Sequence, residues 1–476
     1  MIPLPVAELI SVVRGEPHDI PEPPPRVTGP VVIDSRLVEA GSLFAALPGE
    51  RVDGHDFAAR AVEAGAAVVL ATRPVGVPAV VVPDVTAALG ALARHVVGLL
   101  GTTVVALTGS AGKTSTKDLI AQLLRRSGPT VWTPDSFNNE IGLPLTALRG
   151  EAGTRYLVLE MGARGIGHIR YLTSLTPPRI GVVLNVGTAH IGEFGGKEAI
   201  ATAKGELVEA LPPAEEGGVA VLNADDPLVR AMAARTRARV LLFGESPTST
   251  DAAIRAEDVR LSPQGTPAFR LITPTGCADV TMRLYGEHHV SNALAAAAVA
   301  HEAGMSAEAI AETLATAGPL SKWRMEVTER ADGVTIVNDA YNANPDSMRA
   351  ALRALVAMGR GRRTWAVLGP MAELGDDALA EHDAVGRLAV RLNVSRLVSV
   401  GGQEAAWLDM GAKNEGSWGE ESVHVSDAQA AVELLRGELR PGDVVLVKAS
   451  RAVGLEQVAI ALASDADGVE GEVAAR

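Results

Sequence analysis

The chain has almost no cysteine: Cys277 stands alone in 476 residues. No intrachain disulfide can form, which fits a reducing compartment. Aromatic residues are only 3% of the total, so stacking platforms are scarce. No apolar run approaches the ~20 residues of a membrane span, and the most apolar helical stretch, Leu294–Ala300, is far too short. The opening MIPLPVAELISVVRG has no basic region ahead of its apolar residues and does not read as a signal peptide. No basic tail offsets the net charge of −14. That argues against a nucleic-acid scaffold and leaves room only for a local cationic site facing an anionic ligand. The expectation is a cytoplasmic protein with neither nucleic-acid nor membrane partners. With 47% hydrophobic and 21% charged residues the composition is globular, and the length calls for two or three domains.

What is present is organised around Val104–Leu124, VVALTGSAGKTSTKDLIAQLL. An apolar run predicts a buried strand, and the pairs Leu119/Leu123 and Ile120/Leu124 predict a helix. Between them lies Thr108-Gly109-Ser110-Ala111-Gly112-Lys113-Thr114-Ser115. Strand, glycine loop and helix in that order are the context of a phosphate-binding loop, whose backbone N–H groups surround an anion, with an ordinary βα turn the lesser alternative. Lys113 is placed to reach the outer phosphates of ATP and Thr114 to ligate magnesium. The common spacing wants glycine at position 107, where this chain has Leu107, so the loop is a shortened variant.

The fold class expected is α/β in three domains, over 1–100, 101–318 and 319–476. In the first, strands are predicted over Val31–Ile33, Ala66–Leu70 and Ala79–Val82, with helices over Ala58–Ala64 and Thr86–Leu100. Ser35 and Arg36 follow a strand, where open α/β sheets place ligands. They and Asp53-Gly54-His55 are candidates for an anionic or sugar-bearing group, with turn chemistry the equal alternative. In the second, a buried strand at Tyr156–Leu159 ends in Glu160, the type and place of a magnesium-binding acid. His190 follows the strand Ile180–Leu184 on the same edge if the sheet is parallel. Taken alone, His190 reads as a surface histidine, Lys204 as a solvated helix lysine, and Asn138, Asn139 and Asn292 as helix caps. Residues 245–285 suggest an antiparallel excursion ahead of an Ala-rich helix, Ser291–Ala303. In the third, strands at Val334–Val337, Trp365–Leu368, Leu397–Val400 and Val444–Val447 alternate with helices, predicting a Rossmann-like parallel sheet. No G-x-G-x-x-G follows them, so a nicotinamide dinucleotide is not indicated. The tail after Asp465 reads as mobile.

In sequence these motifs resemble the Mur ligase family of ATP-dependent peptidoglycan-synthesis enzymes. The resemblance rests on TGSAGKTS (108–115), LVLEMGA (157–163), LNVGTAHIGEFGG (184–196), AKGEL (203–207), NADDP (223–227), GEHHVSNALAA (286–296), WRMEV (323–327) and NDAYNANPDSM (338–348), and so spans nearly the whole chain. FNNEIGLPLT, YNANP, LGPMAELG and VKASR look like the branch that joins D-alanyl-D-alanine to UDP-N-acetylmuramoyl-tripeptide, although that branch usually has an acidic residue where this chain has Pro370. The resemblance implies an N-terminal UDP-sugar-binding domain, a central ATP-binding domain and a C-terminal Rossmann-like domain. It implies an ADP-forming ligase working through an acyl phosphate in cell-wall synthesis, and a monomer with small-molecule partners.

Roles follow from the same resemblance. Lys113 and the loop hold the phosphates. Thr114 and Glu160 hold one Mg2+ ion and His190 helps hold a second. Lys204 matches a lysine that several relatives carbamylate. Asn292 and Arg324 match adenine-side contacts and Asp339 a ribose contact. Asn138 and Asn139 orient the peptide, while Tyr341, Asn342, Asn344, Lys448, Ser450 and Arg451 are candidates for the dipeptide site. Other readings stay open: another Mur ligase or a folylpolyglutamate synthase, an ATPase or kinase with a hydroxyl acceptor, and a non-catalytic UDP-sugar-binding regulator.

Overall fold

The computed structural model describes residues 1–49, 52–187, 191–416 and 418–464. His190 and the tail after Asp465 lie outside the described residues. The chain is α/β in three units, each with a main sheet of its own.

In the first unit, Glu16–His18, Ala79–Val81, Val68–Ala71, Leu43–Ala45 and Val31–Val32 form a five-stranded sheet in that order, parallel except at the Glu16–His18 edge. Leu43–Ala45 lies within 38–57, where the sequence shows no strand. Its residues are all buried, yet three residues are too few to display a period. Helix Val85–Leu100 starts where the Asp84 carboxylate accepts the N–H groups of Thr86 and Ala87. It packs Leu89, Leu92 and Val96 into the same core as Leu9 of helix Val6–Val13.

The central sheet has nine strands, in the order Thr130–Trp132, Tyr156–Glu160, Thr103–Thr108, Ile180–Val183, Val219–Asn223, Arg239–Gly244, Ile254–Leu261, Pro267–Thr273 and Gly276–Thr281. Pro267–Thr273 pairs antiparallel with both its neighbours, and all the other pairings are parallel. The antiparallel excursion is therefore a continuation of this sheet, because Ile254–Leu261 pairs with Arg239–Gly244. Parallel strands covered on both faces read as unbroken apolar runs, and Tyr156–Glu160 and Val219–Asn223 are buried throughout. Register pairs Glu160 with Leu107 and Val183 with Thr108. Three carboxyl ends thus share the edge that carries the phosphate loop.

The third sheet runs Glu326–Glu329, Thr335–Asn338, Val444–Lys448, Thr364–Leu368, Arg396–Val400, Ser422–Val425, parallel except for the first. The outermost strands on either side were not expected. Both sit at sheet edges with exposed positions, so they carry polar residues and lack an apolar run.

Candidate active site

The phosphate loop joins strand Thr103–Thr108 to helix Lys113–Ser127. Gly112 is required there twice over. Its φ is +79°, and a Cβ would stand 2.5 Å from Asn292 Oδ1. Asn292 is buried at the start of helix His289–Glu302, which begins two residues earlier than expected. Lys113 Nζ donates to Gly109 O at 2.7 Å. Burial pushes the Lys113 ammonium below its ordinary pKa; Glu160 opposes the shift and Arg324 adds to it.

Glu160, 1% exposed, is the point where the expected residues meet. Its Oε2 accepts from Thr114 Oγ1 at 2.9 Å and its Oε1 from Asn138 Nδ2 at 2.7 Å. Arg324 Nη2 donates to the same Thr114 hydroxyl at 3.1 Å. Asn139 behaves differently: its Oδ1 accepts from Gly142 N at 2.9 Å and holds the first turn of helix Gly142–Ala147. Lys204 is buried, so its expected solvated role is ruled out. Burial and the nearby Lys113 charge push its ammonium well below the ordinary lysine value.

The residues fit a nucleotide and a hard cation. Arg324 Nε and His289 Nε2 are buried without a hydrogen-bond partner, and both residues line a narrow cleft with Ser115, Leu119, Leu284 and Pro319 beside the phosphate-loop helix. Thr114 and Glu160 offer oxygen donors of the kind magnesium prefers. Among the described residues no group of three or more His, Cys, Asp and Glu side chains could hold a metal.

The third unit reaches this edge through two loops. Trp323 and Met325, on either side of Arg324, have φ of 57° and 52°, strained values that aim Arg324 at Thr114. The Arg324 guanidinium lies 4.3 Å over the Tyr341 ring, and Arg451 lies 4.4 Å over Trp323. Tyr341 Oη bonds Ser136 Oγ, and Asn344 Nδ2 donates to Ser110 O at 3.3 Å. Asn344 also caps helix Pro345–Met358 in a capping box with Ser347. Asn342 Oδ1 accepts its own turn's Ala343 N–H at 2.9 Å. Asp339 pairs with Lys448 at 2.6 Å, and Lys448 donates to Asn342 O at 2.8 Å. Ser450 Oγ accepts from Ala372 N at 2.8 Å and donates to Ala343 O. Lys448 and Ser450 are buried and engaged by the chain itself.

Ser35 and Arg36 lie beyond the first sheet's edge strand Val31–Val32, in the short turn Ser35–Leu37. Arg36 closes onto Asp34 with three hydrogen bonds and holds the Asp34 carboxyl down at about 2. Among the described residues no hydrogen bond links either residue to the phosphate loop. His55 is not open to a ligand. It is buried, its Nε2 accepts the Thr72 N–H at 2.9 Å, and its Nδ1–H faces Asp53.

Sequence reading missed Asn185. Its Oδ1 accepts from both Ser110 N and Ala111 N at 2.9 Å, and its Nδ2 donates to Ala111 O at 3.1 Å. This fixes the loop's peptide planes. An asparagine directly after a buried strand was the available signal. Ser136 and the stacked Trp323 were also missed.

Comparison with known proteins agrees with this architecture. Family models match the Mur ligase family, catalytic domain over residues 30–96, the Mur ligase middle domain over 107–300, and the Mur ligase, glutamate ligase domain over 323–451. The UDP-N-acetylmuramoyl-tripeptide–D-alanyl-D-alanine ligase of Mycobacterium tuberculosis is 51% identical, with 98% of each chain covered. A crystal structure of MurF from Acinetobacter baumannii superposes with a TM-score of 0.84 at 32% identity, over 97% of this chain and 99% of that one. MurF from Thermotoga maritima in complex with ADP gives 0.79 at 30% identity, over 93% and 99%.

Proposed function

The chain belongs to the Mur ligase family, and we propose that it is the ATP-dependent, ADP-forming ligase that joins D-alanyl-D-alanine to UDP-N-acetylmuramoyl-tripeptide. Full-length similarity to enzymes of that name supports the substrates. The observation that carries the chemistry is the shared carboxylate. Glu160 holds the phosphate-loop Thr114 and the peptide-side Asn138 at once.

A carboxylate is a poor electrophile. Transfer of the γ-phosphoryl group to the tripeptide carboxylate gives an acyl phosphate and ADP. The amine of the dipeptide then attacks the carbonyl, phosphate leaves, and the amine proton is lost. Such transfer needs positioning and charge neutralisation more than covalent help. Lys113 neutralises the outer phosphates. Asn138 orients the carboxylate beside them. Mg2+ held by Thr114 and Glu160, with a second ion at His190, would draw charge from the phosphoryl oxygens. Ser115 belongs to the loop that holds the phosphates, Asn292 and Arg324 bound the adenine side, and Asp339 serves the ribose. Ser35 and Arg36 face the UDP-sugar. Tyr341, Asn342, Asn344 and Arg451 receive the dipeptide on loops that Lys448 and Ser450 hold. The domains are assigned to 1–100, 101–318 and 319–476.

Lys204 deepens the reading. Burial disfavours the ammonium form of Lys204; the free amine attacks carbon dioxide through its lone pair and loses one proton, giving a carbamate. That converts a cation into a metal-binding carboxylate. We further propose a cytoplasmic monomer. No described helix is long and apolar enough to cross a membrane.

The test is ADP release with the UDP-tripeptide present and one amine added at a time. Release and an amide product only with D-alanyl-D-alanine is the expected result. Release with a single amino acid would move the protein to another branch, and a phosphorylated product without amide would make it a kinase.

A further inference from the structure

One turn beyond Lys113, the phosphate-loop helix carries two charged residues on its buried side. Lys117 is 0% exposed and Asp118 2%. Taking such a pair out of water is costly, and a buried ion pair is weak evidence for stability. What the pair touches gives it another purpose.

Lys117 Nζ donates to Thr133 O at 2.8 Å, Asp135 O at 2.9 Å and Ser321 Oγ at 2.9 Å, and pairs with Asp118 Oδ1 at 2.8 Å. Asp118 Oδ2 accepts from Leu320 N and Ser321 N, and its Oδ1 accepts from Ser321 Oγ. A turn later Gln122 exchanges hydrogen bonds with Gly318, donating to its carbonyl and accepting from its N–H. Two loops are thereby tied to one helix. Residues 133–135 lead through Asp135, at φ 45°, to Ser136 and Asn138. Residues 318–321 connect the central sheet's unit to the third and lead directly to Trp323 and Arg324. The far ends of these loops meet again at the site: Asn138 reaches Glu160, Arg324 reaches Thr114, and Ser136 bonds Tyr341.

We propose that Lys117 and Asp118 are positioning residues, a buried pivot that couples nucleotide occupancy of the phosphate loop to the seating of the Asn138 loop and of the hinge bearing Arg324. The inference rests on the ligase reading for its ligands. The pair touches no substrate. It fixes the near ends of two loops whose far ends do, so a phosphate-induced shift of the helix start moves both together. Polar contacts suit this role because their directions specify one seating, whereas an apolar plug would allow several.

The experiment compares the full-length protein with Lys117→Met and with the double variant Lys117→Met/Asp118→Asn, which leaves no uncompensated buried charge. Hydrogen–deuterium exchange is followed with and without a non-hydrolysable ATP analogue and Mg2+. In the unaltered protein the analogue should slow exchange in the phosphate loop, in 133–139 and in 318–325. In both variants the phosphate loop should keep its protection and analogue Kd stay within about threefold, while protection at the other two segments is lost. Turnover should fall at least tenfold, in kcat more than in KM for ATP. Protection of all three segments in the variants would overturn the pivot, as would loss confined to the phosphate loop or slackening spread over the whole chain. If the unaltered protein binds the analogue but releases no ADP with the UDP-tripeptide and any amine, the ligase reading fails while the exchange pattern still judges the pivot.

Discussion

Lys448 Nζ stands 2.6 Å from Asp339 Oδ2, across the carboxyl ends of two adjacent parallel strands, with both residues buried. Burial pushes the Lys448 ammonium below its ordinary pKa, and the Asp339 carboxylate pulls it partly back. Lys448→Met would strand that carboxylate, which costs roughly 3–5 kcal/mol in a buried pair. A denaturant midpoint should fall accordingly, and Lys448→Met/Asp339→Asn should recover part of the loss. An unchanged midpoint in the single variant would show that Asp339 finds another partner.

His288 lies beside that pair, and burial lowers its pKa from 6.5 to about 4, with Asp339 opposing and Lys448 reinforcing the shift. The folded value is below the unfolded one. Its contribution to stability is therefore fully present above pH 6.5 and is lost as pH falls toward 4. The residue as a whole is half-buried, so the loss is at most about 3 kcal/mol. His288→Gln should flatten the fall of Tm with acid between those values. A parallel curve for the variant would place the acid sensitivity elsewhere.

Lys113→Ala removes the ammonium that reaches the outer phosphates. ADP release should drop by roughly a thousandfold or more, with far-UV circular dichroism and Tm unaltered, because among the described residues Lys113 bonds only its own loop at Gly109 O. Normal turnover would sink the phosphate-loop assignment.

Glu160→Gln keeps the shape of the side chain that receives Thr114 and Asn138 but removes its charge. The expected loss in kcat is on the order of a hundredfold, with a raised magnesium requirement. A magnesium titration of initial rates distinguishes this from a steric effect, which would leave the metal dependence where it was.

Lys204 is buried beside the Lys113 charge, which disfavours its ammonium, and the expected outcome is that it takes up carbon dioxide as a carbamate. With labelled bicarbonate a single carbonyl resonance should appear and vanish in Lys204→Ala. Turnover of that variant should recover partly with formate or acetate. No signal and no recovery would leave Lys204 acting as a neutral amine.

The sequence by itself determined the phosphate loop, its acid and the order of the longer strands and helices. TGSAGKTS sits between an apolar strand and an amphipathic helix, and Glu160 ends a buried run, so loop, acid and alternating α/β pattern were legible without coordinates. Their meaning rested on nearest neighbours along the chain, which periodicity encodes directly. Edge strands such as Glu326–Glu329 and Ser422–Val425 were not legible, since half-exposed positions blur that period. Tertiary structure alone decided which polar residues are tools and which are ties. Asn138 faces Glu160 while its neighbour Asn139 turns to the Gly142 N–H at the start of a helix. Lys448 and Ser450 are sealed inside the third unit. Lys117, which resembles any helix lysine in sequence, is buried against carbonyls from loops sixteen or more positions away. A side chain's burial and partners come from long-range packing, and the one-dimensional pattern holds no record of which distant carbonyl it will meet.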